Sequence, residues 1–309
     1  TCHAQPWCPT LPCATPQDAT GATFEAMCQH GVTHYGATGF KSSTLAIIWN
    51  KHRRGLSVFC GNRRESLLIV HYFMVFVYMQ NLPSRSNWGG SMASVRHGYR
   101  KVYKKDRFWR NARRIVTYLA EHIDELDLNA RDDPYNHGTG EMSVGVKEIV
   151  DTFPMKILTR NTDHQNSKYG CFVIKFQIMC TLLGFITRLS RAYAGRCADA
   201  RIFDFEHDGA DHLILGDKAY IGSYRCLTAK KGRQPYLQRL RQKHMNRTRV
   251  RIEHMIGFVK SHGLFRRPKD WTKATLPFAA QLVKIVTHCK NIELKDKGGR
   301  YPRIGPWAH

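Results

Sequence analysis

Acidic side chains are scarce in this chain. Only 24 Asp and Glu stand against 48 Lys and Arg, a formal charge of +24 over 309 residues. A surplus of that size repels itself unless a polyanion relieves it, and nucleic acid is the usual one, with an anionic membrane surface as its rival. Long apolar runs are also missing. The longest, Leu67 to Met79, has 13 residues and is broken by His71, short of the roughly 20 a spanning helix needs, so it reads as a buried helix and no membrane is expected. No signal-peptide pattern precedes it. The ten cysteines, from Cys2 to Cys289, lack compact spacing, which argues for reduced, intracellular thiols against a disulfide framework. Cys2, His3, Cys8, Cys13, Cys28 and His30 contain no C-x-x-C pair, which disfavours zinc. Gly36 to Ser42 lacks the Gly-Lys-Ser/Thr ending of a phosphate loop. Neither an internal repeat nor a ribonucleoprotein-type aromatic motif is present, so RNA binding is the weaker nucleic-acid reading. Extended disorder is excluded by a hydrophobic content of 42%.

What is there divides the chain into four segments. Residues 1–62 carry Pro, Gly, Thr and Cys without clear periodicity and read as a poorly ordered leader. Residues 63–118 read as a helical region resembling a helix-turn-helix: a helix from Arg63 to Gln80, a turn from Asn81 to Gly90, and a second helix from Ser91 to Tyr103. Arg96 to Arg114 holds nine Lys/Arg and one acid, with Tyr99, Tyr103, Phe108 and Trp109 interleaved. Arg96, Arg100, Lys101, Lys104 and Lys105 are the expected DNA contacts, set to lie along phosphates. Residues 119–294 form the third segment and 295–309 a basic tail. Within the third, Ser143 to Val150 reads as a strand ending at Asp151. Cys171 to Met179 and Phe185 to Leu189 flank a turn at Gly184, and His212 to Leu215 is a short strand. Helices follow from Tyr236 to Lys260 and from Leu276 to Glu293. Strands followed by helices point to an α/β sandwich.

Three carboxylates stand out. Between Arg225 and Lys260 there are eleven Lys/Arg and one acid, Glu253. At about 100° per residue, Asn246, Arg249, Glu253 and Lys260 share a sector of roughly 60°, while Ile252, Ile256 and Val259 point elsewhere. Amide, guanidinium, carboxylate and ammonium on one face suit a metal-bound phosphodiester. Asp217 follows the apolar Leu213–Leu215, at a sheet edge where ligands bind in open sheets. Asp151 ends its own strand. Singly, either aspartate reads as a turn or cap residue. Together the three acids make a hard-oxygen site for two Mg²⁺ or Mn²⁺ ions, which prefer carboxylates.

These residues also carry a resemblance. Arg249, Glu253 and Lys260 reproduce the Arg-Glu-Lys spacing of a signature found in bacterial insertion-sequence transposases, with Asn246 where those have tyrosine. That asparagine, Gly216-Asp-Lys-Ala-Tyr-Ile-Gly222, and Gly195-Arg-Cys-Ala-Asp-Ala-Arg-Ile-Phe203 resemble the PIF/Harbinger branch of DDE transposases. Val150-Asp-Thr152, Tyr169 to Ile178, and Ile285 to Leu294 with Cys289 and Asn291 are similar to other blocks of that family. The resemblance covers roughly Arg63 to Leu294. The chain departs from it at Thr152, which follows Asp151 directly, and at Ala219, where the family has glycine. The resemblance implies an RNase H-like mixed sheet flanked by helices, with Asp151, Asp217 and Glu253 as the catalytic, metal-binding triad. Asp199 is then an accessory acid. It also implies nicking of double-stranded DNA at transposon ends and joining of the 3′-OH to target DNA, often at a short A/T-rich trinucleotide. A Myb-like partner protein, self-association into a homo-oligomer and a nuclear location are further expectations. The alternative is a domesticated, catalytically inactive DNA-binding descendant.

Overall fold

The computed structural model describes residues 38–61, 68, 71–73, 75–76, 79–80, 105–123, 146–207, 212–229, 232, 235–266, 269–270 and 276–296. The chain divides into two compact units, residues 1–123 with 262–264 and 281–285, and residues 124–261 with 265–280 and 286–309.

The described residues of the first unit are mostly helical. Helix α1 (Ser42–Phe59) lies inside the segment read as a poorly ordered leader, and is ordered structure that this reading did not expect. Its buried positions Leu45, Ile48, Trp49, His52 and Leu56 recur every three or four residues, the spacing of one helical face. Its Trp49 ring lies 5.2 Å from that of Tyr72, whose hydroxyl donates to the Leu45 carbonyl at 2.9 Å. All described residues between 68 and 80 are helical. Helix α2 (Lys105–His122) buries Ala112, Ile115, Val116 and Leu119 and leaves Arg110, Arg113 and Arg114 exposed. The expected turn at 81–90 and the helix at 91–103 lie outside the described residues, as do the cysteines before Cys60.

The second unit is a mixed sheet with helices on both faces. Its elements are β1 (Val146–Leu158), β2 (Gln165–Asn166), β3 (Cys171–Thr181), β4 (Ile186–Leu189), β5 (Tyr193–Ala194), α3 (Asp199–Glu206), β6 (Leu213–Leu215), β7 (Cys226–Leu227), α4 (Tyr236–Lys260), β8 (Lys269–Asp270) and α5 (Leu276–Asp296). Strand β1 pairs antiparallel with β3 from Glu148↔Thr181 to Lys156↔Val173, and parallel with β6. Strand β7 continues the parallel side, while β2, β4 and β5 all pair antiparallel with β3. Between β3 and β4 the chain reverses at Gly184, whose φ of 90° is open to glycine and costly for a side chain.

Side chains alternate across a strand, and β1 uses both faces. Val150 joins Met179, Phe203, Ile214 and Tyr220 in a buried cluster under α3. On the other face Phe153 stacks on Phe176 at 5.8 Å and meets Phe265, just beyond α4, at 5.9 Å. Helix α4 packs on β1 and β3 through buried Ile252, Met255, Phe258 and Val259, with Ile256 half-buried. Helix α5 is tied to β4 by Asn291, which accepts from the Ile186 N–H at 2.9 Å and donates to the Ile186 carbonyl at 3.1 Å. No helix among the described residues is long and apolar enough to cross a membrane.

One strand differs from expectation. Strand β1 does not end at Asp151 but runs on to Leu158. Proline and aspartate disfavour strands, and Asp151 and Pro154 both lie here. The strand persists because β3 pairs with it from Glu148 to Lys156, with Asp151 opposite Ile178 and Pro154 opposite Lys175.

Candidate active site

The β1/β6 register brings two of the three carboxylates together. Ile149 pairs with Leu215, the last residue of β6, so Asp151, two residues further along β1, and Asp217, two residues beyond the end of β6, come near enough for the Asp217 charge to act on Asp151. Strand β6 has ended at Leu215, and among the described residues only β3 pairs with β1 between Ile149 and Ile157. The acids therefore sit at an opening of the sheet, the usual place for a ligand. Gly216 allows this approach, because a Cβ there would meet Cys226 Sγ at 2.6 Å and the Tyr220 ring at 2.9 Å. Asp217 then caps the tight turn Lys218–Tyr220, its Oδ1 accepting from the Ala219 N–H at 2.6 Å.

Asp151 is electrostatically frustrated. Burial raises its carboxyl pKa to about 6; the Thr152 N–H, at 2.7 Å from Oδ1, and Arg249 oppose that rise, while Asp217 and Asp199 add to it. Asp199 opens α3 and is itself paired with Lys175 Nζ at 2.9 Å. Lys175 also donates to the Cys197 carbonyl at 2.8 Å.

The sign of the Asp151 shift makes a prediction. A carboxyl whose folded pKa lies above its unfolded value favours folding in its protonated form, and that contribution is lost as pH rises through about 6. The metal-free Asp151→Asn protein should therefore melt at a higher temperature than the parent at pH 8. The gap should close as the pH is lowered past 6. Equal melting at pH 8 in thermal scans would contradict the frustration.

Glu253 stands apart from this pair. On α4 it is 56% exposed and bound to Arg249, one turn earlier, at 3.6 Å, whereas Arg249 is 20% exposed and acts on Asp151 electrostatically. Arg249 thus joins the helix acid to the sheet acids. Asn246 lies exposed on the same helix, in an open groove with Arg239, Lys243 and Arg247. Lys260 closes the helix, its pKa lowered by partial burial and by Lys156. Among the described residues no three His, Cys, Asp or Glu converge closely enough to hold an ion, so the sequence-expected triad is not assembled in this structure. Arg96, Arg100, Lys101 and Lys104 lie outside the described residues; Lys105 begins α2, with its side chain outside them.

Around Asp151 the structure adds residues that the sequence did not single out as part of a site. Thr152 Oγ1 lies 2.8 Å from the hydroxyl of fully buried Tyr220. Gln177 Nε2 donates to that hydroxyl at 3.3 Å, and His207 Nε2 donates to Gln177 Oε1 at 2.8 Å. A signal was there. Lys175 and Gln177 are polar residues two apart in an otherwise apolar strand, hence on one face.

The donor chemistry fits a hard divalent cation in part. Asp151 and Asp217 are oxygen donors, the Asp217 charge bears on buried Asp151, and a cation would relieve that repulsion. Glu253 as placed serves Arg249 instead.

Residues 150–290 match the model of the DDE superfamily endonuclease family. The matched stretch holds Asp151, Asp199, Asp217 and Glu253. No curated protein and no solved structure matches the chain.

Proposed function

From that match, we propose that the chain is a transposase-type DNA endonuclease of PIF/Harbinger kind with an RNase H-like nuclease core. It cuts phosphodiester bonds with two Mg²⁺ or Mn²⁺ ions and joins the freed 3′-OH to target DNA. The observation that carries this reading is the crowding of Asp151 by Asp217 at the open end of β6, inside the matched segment.

Asp151 and Asp217 would hold the cation, with Glu253 completing the set once released from Arg249. When bound, such ions would supply the charge that activates water and stabilises a leaving 3′ oxygen. The chain's own residues do the rest. Arg249 would bind a scissile phosphate once Glu253 has turned away, since a guanidinium pairs with phosphate as readily as with carboxylate. Arg239, Lys243 and Arg247, on an exposed stretch of α4, would neutralise flanking phosphates. Lys175 keeps Asp199 ion-paired, so Asp199 orients α3 against the sheet and is not itself a ligand. DNA is the substrate; a Myb-like partner, a homo-oligomer and a nuclear location belong to the same proposal.

A second reading, a domesticated DNA-binding protein without catalysis, is favoured by one observation: Glu253 is ion-paired and no three-ligand cluster is formed among the described residues. Incubating the purified full chain with supercoiled plasmid separates the two. The nuclease reading expects open circles with Mg²⁺ or Mn²⁺ and none with chelator. DNA retention that weakens steeply between about 50 and 200 mM salt, without any nicking, would leave only the binding protein.

A further inference from the structure

A chain of hydrogen bonds, buried at its centre and part-buried at its ends, ends beside Asp151, and its direction can be worked out. Arg188 can only donate, and its Nη1 lies 3.5 Å from His207 Nδ1. His207 Nδ1 therefore accepts and Nε2 carries the proton, which goes to Gln177 Oε1 at 2.8 Å. That places the Gln177 amide nitrogen toward the Tyr220 hydroxyl and the Asp199 carbonyl, both at 3.3 Å. An amide NH₂ also only donates, so the Tyr220 oxygen accepts and its proton is free for Thr152 Oγ1 at 2.8 Å. Burial holds His207 neutral, its pKa lowered to about 4 with help from Arg188, consistent with a single ring proton.

Tyr220 cannot shift within this chain. Its ring is fully buried, edge-on to Phe203 at 5.7 Å, in the cluster with Val150, Met179 and Ile214. Gln177 is pinned as well, its backbone N–H donating to Ser190 Oγ at 2.8 Å and its carbonyl accepting from the Ser190 N–H at 2.8 Å. Thr152 thus has a fixed anchor for its side chain, and its own backbone N–H reaches Asp151 Oδ1 at 2.7 Å.

We propose that Tyr220 and Thr152 are positioning residues for the nuclease site: the Arg188–His207–Gln177–Tyr220–Thr152 chain fixes the Thr152 peptide, whose N–H aims the Asp151 carboxylate at the cation. The inference rests on the nuclease reading, because it assigns Asp151 a cation to receive. Partners that orient metal ligands change metal affinity by roughly 10–100-fold when removed. Neither residue touches substrate or cation in this scheme.

The test is Mn²⁺ titration of the metal-free full chain, followed by the electron paramagnetic resonance signal of free Mn²⁺, with thermal melting recorded alongside. Tyr220→Phe removes one oxygen and keeps the ring; Thr152→Val keeps the shape and removes the hydroxyl; Thr152→Ser restores it. The expected result is Mn²⁺ affinity about tenfold or more weaker in Tyr220→Phe and Thr152→Val, and near the parent value in Thr152→Ser. If Tyr220→Phe does not fold, Thr152→Val against Thr152→Ser reads the same link. Parent-like affinity in the variants that lack a hydroxyl overturns the proposal, and so does equal weakening in Thr152→Ser. A parent chain that takes up no Mn²⁺, or an Asp151→Asn variant that takes it up undiminished, removes the cation site itself and the nuclease reading with it.

Discussion

Asp217→Asn and Asp151→Asn are each expected to lower metal-supported nicking of supercoiled DNA by about a hundredfold to a thousandfold, the scale seen when a group that stabilises developing charge is removed. The two substitutions preserve size and one acceptor oxygen while removing the charge and turning the other oxygen into an NH₂ donor, so a folding defect is not the expected cause. Asp217 would keep its cap, because an Asn Oδ1 can still accept from the Ala219 N–H. Asp151→Asn should even stabilise the metal-free fold at pH 8, so lost activity and gained stability would appear in one protein. Glu253→Gln is expected to lose activity on a similar scale. Its outcome bears most on the third ligand, since the structure pairs Glu253 with Arg249. Gel assays of open-circle formation would read all three. If Glu253→Gln nicks like the parent while the aspartate variants are silent, the third donor is another group.

The largest stability effect should come from Glu148, far from solvent on β1. It is fully buried; its Oε1 accepts from the Thr187 hydroxyl and its Oε2 pairs with His212 Nε2 at 2.6 Å. Removing one member of a buried pair leaves its partner's charge or polar group stranded, which costs on the order of 3–5 kcal/mol. Glu148→Ala is therefore expected to unfold at markedly lower denaturant concentration than the parent at neutral pH. The pH dependence has a definite sign. Burial pushes the Glu148 carboxyl up, but the hydrogen bonds from His212 and Thr187 and the charges of His212 and Arg188 outweigh it, leaving the pKa below 4.5. A depressed folded pKa stabilises the ionised form, so its contribution is complete above 4.5 and fades as acid titrates it. In urea melts Glu148→Gln should fall short of the parent at pH 7, with the gap narrowing under acid. A constant gap across that range would show that Glu148 does not act through its charge.

Much of the second unit can be read from the sequence alone. The apolar periodicity of α4 and α5 and the turn at Gly184 are local signals, and the structure places helices and reversal where they point. Local signals fail where pairing decides. Asp151 and Pro154 look like a strand end, yet β3 carries β1 past both. The nearness of Asp151 and Asp217 depends on a parallel register between strands more than sixty residues apart, which no spacing reveals. Helix α1 shows the opposite case. Its apolar face at Leu45, Ile48, Trp49 and Leu56 is legible, but the glycine- and threonine-rich residues before it obscure it. The Arg249–Glu253 pair follows from i,i+4 spacing. The spacing cannot say whether Glu253 serves that arginine or a cation.

The central claim is that Asp151 and Asp217 hold one cation between them. Its most direct test is Mn²⁺ titration of the parent chain, Asp151→Asn, Asp217→Asn and the double variant. If both side chains ligate the same ion, either single substitution removes most of the affinity and the double removes little more. Losses that simply add, or a single variant that binds like the parent, would show that the two aspartates do not share a site.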